Sequence, residues 1–208
     1  MIGSTKMGTG PKKTESQDSY CIMKQFSEEC YFFGVYDGHG HSGKDASHAT
    51  NDFIQNFLEK NDKNKKIKML KTDQQNEDFL REAFRNCEDN LKQSGIDYNN
   101  SGTCANAILI HSNNMYIANI GDSRSVLYRV TNRENIALEL SYDQATSRND
   151  EKERILRYGG KIERMRHEDK AVGPYRVWLD DEGPGISVTR SLGDWITKKI
   201  GIISEPEV

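Results

Sequence analysis

Phe33-Gly34-Val35-Tyr36-Asp37-Gly38-His39-Gly40 is an apolar, aromatic run that ends abruptly in an aspartate, glycines and a histidine. With Tyr31 and Phe32 it reads as a strand, Tyr31 to Asp37, and the preceding run Ser19 to Gln25 reads as another. The polar stretch Ser27-Glu28-Glu29 joins the two, so the pair is expected to form a β-hairpin. Such a strand delivers Asp37 to its carboxy-terminal end. Gly38 has no side chain, so its carbonyl can approach an ion beside that aspartate, and oxygen ligands suit a hard cation such as Mg²⁺ or Mn²⁺. His39 follows at the same spot, where an imidazole can give or take a proton near neutral pH. Taken alone, Asp-Gly is also ordinary turn chemistry.

Working outward, Asp18 closes the stretch Glu15-Ser16-Gln17-Asp18 just before the first strand. Antiparallel pairing would bring it close to Asp37. Two carboxylates held together repel unless a cation or a shared proton compensates, so metal binding is the economical explanation. On the far side, Ser42 is expected to cap a helix carrying Ala46, Ala49, Phe53, Ile54, Phe57 and Leu58 at helical spacing. Asn61 to Lys71 is rich in lysine and asparagine and is expected to be a solvated loop. A second helix is expected from about Glu77 to a stop at Gly95, with Phe79, Leu80, Ala83, Phe84, Cys87 and Leu91 on one face.

Gly102 to Val130 then reads as an antiparallel meander broken at Asn113-Asn114 and Gly121-Asp122, followed by a strand at Ile136 to Tyr142. Asn149 should cap a short helix ended by Gly159-Gly160. Strands are expected near Lys161 to Arg164, Tyr175 to Leu179 and Ile186 to Arg190. Strands, two long amphipathic helices, then many strands favour an α+β layered fold over a βαβ one.

The 208 residues suffice for one domain with a sizeable core. A 35% hydrophobic and 29% charged composition excludes a fibrous or membrane protein, and no apolar run approaches the ~20 residues of a membrane span. The net charge of −3 gives no reason to expect nucleic-acid binding, which shows as a strong basic excess. Cys21, Cys30, Cys87 and Cys104 are scattered without a CxxC pair, which argues for reduced, buried thiols and against a thiolate zinc site. With no signal-peptide core in the first residues, cytoplasm or nucleus is the expected location.

Ala118-Asn119-Ile120-Gly121-Asp122-Ser123-Arg124 sets a further aspartate in a tight turn. On local evidence Asp122 reads as an Asx-turn residue with a nearby arginine. Taken in order, Gln17-Asp18, Phe33 to His39, Ser101-Gly102-Thr103, Gly121 to Arg124, Arg190 to Asp194 and Glu205-Pro206 resemble the motif series of the type 2C family of metal-dependent serine/threonine protein phosphatases. The six run across nearly the whole chain.

The resemblance implies a β-sandwich of two antiparallel sheets flanked by helices on both sides, a four-layer αββα arrangement of the α+β class. It implies hydrolysis of phosphoserine and phosphothreonine monoesters on phosphoprotein substrates at a centre of two Mg²⁺ or Mn²⁺ ions. Asp37 would bridge the ions, the Gly38 carbonyl would bind one, and Asp18 would reach one directly or through water. Ions about 3.5–4 Å apart would lower the pKa of a bridging water for in-line attack. His39 would protonate the departing oxygen, and Asp122 would help to hold a third, weaker ion. Lys13 falls where the family often has an arginine that grips the phosphate; lysine brings the charge but not the planar fork.

Departures from the pattern are Gln17, in place of a common glutamate, and Cys104, in place of a common threonine. The family also continues beyond Glu-Pro with an aspartate-glycine-x-tryptophan-aspartate motif and a final aspartate-asparagine, whose aspartates ligate a catalytic metal. Residues 1–208 are therefore expected to be a single phosphatase catalytic domain lacking its C-terminal part, with weaker metal binding, since oxygen-site affinity follows charge count. The alternatives are a phosphatase-like binding module or inactive fragment, and an unrelated metallohydrolase built on His39 and His41. The i, i+2 spacing of that histidine pair suits chelation poorly.

Overall fold

The computed structural model describes residues 2–6, 15–168, 170–180 and 183–208, so Lys13 lies outside the described residues. The run that ends in Asp37-Gly38-His39 forms β2 (Cys30–His39), paired antiparallel with β1 (Asp18–Ser27). Ser27 faces Cys30 directly, which leaves Glu28 and Glu29 as the turn, with Glu29 at φ 56°. β3 (Gly102–His111) and β4 (Asn114–Ile120) extend the sheet in the order β1-β2-β3-β4. The two-residue β9 (Leu192–Gly193) adds to β3 at Thr103 and Gly102, the stretch that β4 leaves open.

Alternation along β2 decides which face is which. Cys30, Phe32 and Tyr36 are buried, whereas Val35 and Asp37 on the opposite face are exposed. Two helices, α1 (Gly43–Lys63) and α2 (Asp73–Gln93), cover the buried face, α1 lying along β1, β2 and β3 and α2 reaching β4 and β9. Ile54, Phe57 and Leu58 of α1 meet Phe79, Leu80 and Phe84 of α2 above Phe32, Tyr36 and Leu109. The Phe57 and Phe79 rings sit tilted at 5.3 Å. Each fully buried side chain of this size contributes about 1.5–3 kcal/mol, so this helix-on-sheet layer is what fixes the position of the strand ends.

The remaining elements form smaller units. β5 (Val126–Val130) pairs with β6 (Asn135–Glu139), and β7 (Lys161–His167) with β8 (Lys170–Trp178), as separate two-stranded ribbons. Between them lies α3 (Asn149–Arg157), whose Ile155 joins Val177, Ile200 and Ile202 in a second core. The class is α+β with antiparallel sheets and flanking helices, as expected. All four cysteines are free and buried. Among the described residues no helix is long and apolar enough to cross a membrane.

Several boundaries differ from expectation for physical reasons. Asn61 to Lys71 is not a solvated loop: α1 runs on to Lys63, the buried Asn61 donates to the Phe57 carbonyl, and a 3₁₀ turn at Ile67–Met69 buries Ile67. α2 starts at Asp73 rather than near Glu77 because Thr72 and Gln75 form a capping box. Ser42 occupies the N-cap of α1, but its hydroxyl caps nothing; its backbone N–H donates to Ser101 Oγ instead. Arg148, not Asn149, holds the N-cap position of α3. The meander stops at β4, since β5 pairs with β6 and not with β4. Ile186 to Arg190 makes isolated bridges rather than a strand.

Candidate active site

Register places the acidic residues. Asp18, the first residue of β1, lies directly opposite Asp37 near the end of β2, and Asp37 lies directly opposite Cys104 in β3. Cys104 Sγ in turn donates to Asp122 Oδ1 at 3.5 Å, in the turn after β4. Asp18, Asp37, Cys104 and Asp122 thus form a row across the sheet on the face opposite α1 and α2. Gly121, at φ 96°, makes the turn possible: a β-carbon there would collide with the Cys104 sulfur.

Electrostatics agree with this crowding. Burial, then the negative charges of Asp18 and Asp122, raise the Asp37 carboxyl above the ordinary aspartate value. A divalent cation would relieve the same repulsion. The donors are carboxylate oxygens, which fit a hard ion. Among the described residues, however, no three His, Cys, Asp or Glu side chains close in tightly enough to enclose a metal by themselves. Gly38 is held by its surroundings as expected of a residue without a side chain: a β-carbon would run into the Gly43 carbonyl and stand 2.6 Å from the Gln17 carbonyl.

The two departures noted in the sequence find definite places. Gln17 Nε2 donates to the Gly40 carbonyl at 2.8 Å, tying the approach to β1 onto the loop after β2. Cys104 does supply a donor to Asp122, through a thiol, which is a weaker donor than a hydroxyl. Burial pushes that thiol well above its ordinary pKa, so it stays protonated and neutral.

His39 stands two residues beyond Asp37 on the same face of β2. Its Nε2 is 2.7 Å from Asp194 Oδ2, with the ring 31% exposed and the carboxylate 4% exposed. Burial works against a charged ring, but the hydrogen bond and charge of Asp194, then the charges of Asp37 and Asp122, outweigh it and hold His39 above the ordinary imidazole value. β9 delivers Asp194, its backbone N–H donates to the Ser101 carbonyl, and Thr197 Oγ1 donates to its carbonyl. A β-carbon at Gly102 would collide with the Asp194 carboxylate, so the glycine of Ser101-Gly102-Thr103 lets the pair form. In the sequence, Arg190 to Asp194 stands out as a motif, yet nothing there gives Asp194 a role. Its partner is 155 residues away, and no local signal joins them. His41 is not part of this constellation.

Asp37, His39, Cys104, Asp122 and Asp194 line one cavity of about 250 Å³. Sites for drug-sized ligands run to roughly 300–1,000 Å³, so this one suits a small charged group and the side chain that carries it.

Residues 6–208 match the family model described as protein phosphatase 2C. The chain is 35% identical over 216 residues to "Probable protein phosphatase 2C 35" of Arabidopsis thaliana, covering 93% of this chain and 59% of the relative. "Probable protein phosphatase 2C 3" of Paramecium tetraurelia is 35% identical over 159 residues, covering 70% and 48%. Among solved structures, a serine-threonine phosphatase 2C from Toxoplasma gondii superposes with a TM-score of 0.78 at 20% identity, over 93% of this chain and 68% of that one. The chain thus spans 59% or less of the length of these two curated relatives.

Proposed function

The chain belongs to the protein phosphatase 2C family, and from that premise we propose that it hydrolyses phosphoserine and phosphothreonine monoesters on proteins with the help of Mg²⁺ or Mn²⁺. The observation that carries the reading is the direct pairing of Asp18 with Asp37 across β1 and β2, with Asp122 near enough to add its charge. Asp37, Asp18 and the Gly38 carbonyl would hold the principal ions, and Asp122 would serve a further one. Bound ions of this kind supply Lewis acidity and make a water nucleophilic near neutral pH.

The chain's own residues carry the rest. The Asp194 carboxylate favours the protonated form of His39, which would give its proton to the ester oxygen as the serine or threonine departs. With Nε2 engaged by Asp194, Nδ1 is the ring nitrogen left to meet the substrate. Asp194 does not reach the reacting atoms; it sets the orientation and tautomer of His39.

Turnover of a phosphopeptide and of p-nitrophenyl phosphate tests the proposal, with Mn²⁺ or Mg²⁺ present and after chelation. Activity should require the metal, and Asp37→Ala should remove it by about 10²-fold or more. Full activity in excess chelator, or an undiminished Asp37→Ala enzyme, would overturn the metal-assisted reading.

A further inference from the structure

The cavity that holds the carboxylates also contains a cation. Arg176, on β8, reaches its wall beside Ile186 and Ser187, and it is the one lysine or arginine among the described residues lining it. Its Nη1 donates to the Gly185 carbonyl at 2.8 Å, which anchors the guanidinium. Its Nε is buried and has no hydrogen-bond partner among the described residues. A buried donor left without a partner is costly, so a guanidinium held this way at the wall of the cavity points to a ligand.

The shape of that ligand follows from the chemistry of the wall. A guanidinium presents flat, paired N–H groups that match two oxygens of a phosphoryl group or carboxylate. Asp37, Asp122 and Asp194 stand in the same cavity and repel an incoming dianion. A fixed cation on the β8 side of the same cavity counters part of that repulsion.

We propose that Arg176 is the phosphoryl grip of this cavity, binding the phosphate oxygens of a phosphomonoester or of free inorganic phosphate. The proposal rests on the phosphatase reading for its substrate, though the binding step can be measured without turnover. It also accounts for the placement of the β7–β8 ribbon, since β8 carries Arg176 from an exposed ribbon to the catalytic cavity.

The test is isothermal titration of inorganic phosphate into the Mn²⁺-loaded protein, with its inhibition constant against p-nitrophenyl phosphate measured in parallel. Arg176→Ala and Arg176→Gln should each weaken phosphate binding by about 10- to 100-fold, as expected for loss of a charge-assisted hydrogen bond. Glutamine still offers a donor to Gly185, so its failure separates lost charge from a displaced loop. Arg176→Lys should recover part of the affinity, since the charge stays and the fork does not. A rise in KM for a phosphopeptide alone, with phosphate affinity unchanged, would place Arg176 on the peptide and overturn the proposal. Wild-type affinity in Arg176→Gln would overturn it equally. If phosphate binds through Arg176 while no phosphoester is turned over, the grip stands and the phosphatase reading falls.

Discussion

At the scale of single residues, Asp194 separates positioning from chemistry. In the proposed reaction it would act only through His39, so its loss should matter most where the leaving oxygen needs a proton. Asp194→Asn should slow phosphopeptide or phenyl phosphate turnover by about 10- to 100-fold and p-nitrophenyl phosphate, whose leaving group departs unaided, far less. Equal losses on both substrates would make Asp194 a structural residue only. The pH profile gives a second readout. The acid form of His39 is present below its raised pKa and is lost as pH rises through it. Removing the carboxylate that raises it should move the alkaline limb of kcat/KM to lower pH. Asp18, Asp37, Gly38 and His39 were legible in the sequence because neighbours in one hairpin carry them. Asp194 and Arg176 were not, because long-range strand pairing brings one to His39 and a ribbon brings the other to the cavity wall.

Elements show the same division between local and distant information. The β1–β2 hairpin and the apolar faces of α1 and α2 follow from alternation and helical spacing, and both appear as read. The start of α2 was also written locally, in Thr72-x-x-Gln75, where the Thr72 hydroxyl accepts from the Gln75 N–H and the Gln75 side chain accepts from the Thr72 N–H. A lysine-rich neighbourhood hid it. Lys66 and Lys68 look like solvated charge in sequence, yet they pair with Glu82 and Glu28 while Ile67 between them is buried. Because the box satisfies donors at a solvent-facing helix end, Thr72→Ala should cost about 1 kcal/mol and leave turnover unchanged. A urea titration would register this as a lower midpoint at constant slope. An unchanged midpoint would mean that tertiary packing alone holds the first turn. What no local pattern announces is the fate of β5: after Gly121 the chain leaves the sheet and folds back with β6, tied to β3 by the Asn106, Ser125 and Ser141 side chains.

Across the whole molecule, the later segments are joined by one buried carboxylate. Glu151 of α3, with a side chain 0% exposed, accepts from Arg154, Thr189 and both Nε and Nη2 of Arg190. Those arginines continue the network: Arg154 donates to the Gly201 and Thr189 carbonyls, and Arg190 to the Glu205 carbonyl. One charge therefore connects α3 with the segment that leads to β9 and with the chain beyond it. Burial alone would raise the Glu151 carboxyl, but the hydrogen bonds from Arg154, Arg190 and Thr189 outweigh it and bring it from 4.5 to about 2. A carboxylate depressed in the folded state stabilises the fold above its ordinary value, and that contribution is lost as pH falls from about 4.5 to about 2. Glu151→Gln leaves two half-buried arginines without this counter-charge and replaces charge-assisted hydrogen bonds by weaker ones, which should cost about 1.5–3 kcal/mol. Thermal melts from pH 2 to 7 should show the wild type losing stability through that acid window and the variant starting lower and losing less. The network also orders the segment that carries Asp194 to His39, so the variant should lose phosphatase activity at temperatures where the β1–β2–β3 sheet and its helices remain folded. Parallel loss of activity and of all secondary structure in a single transition would show that α3 and the sheet unfold as one unit.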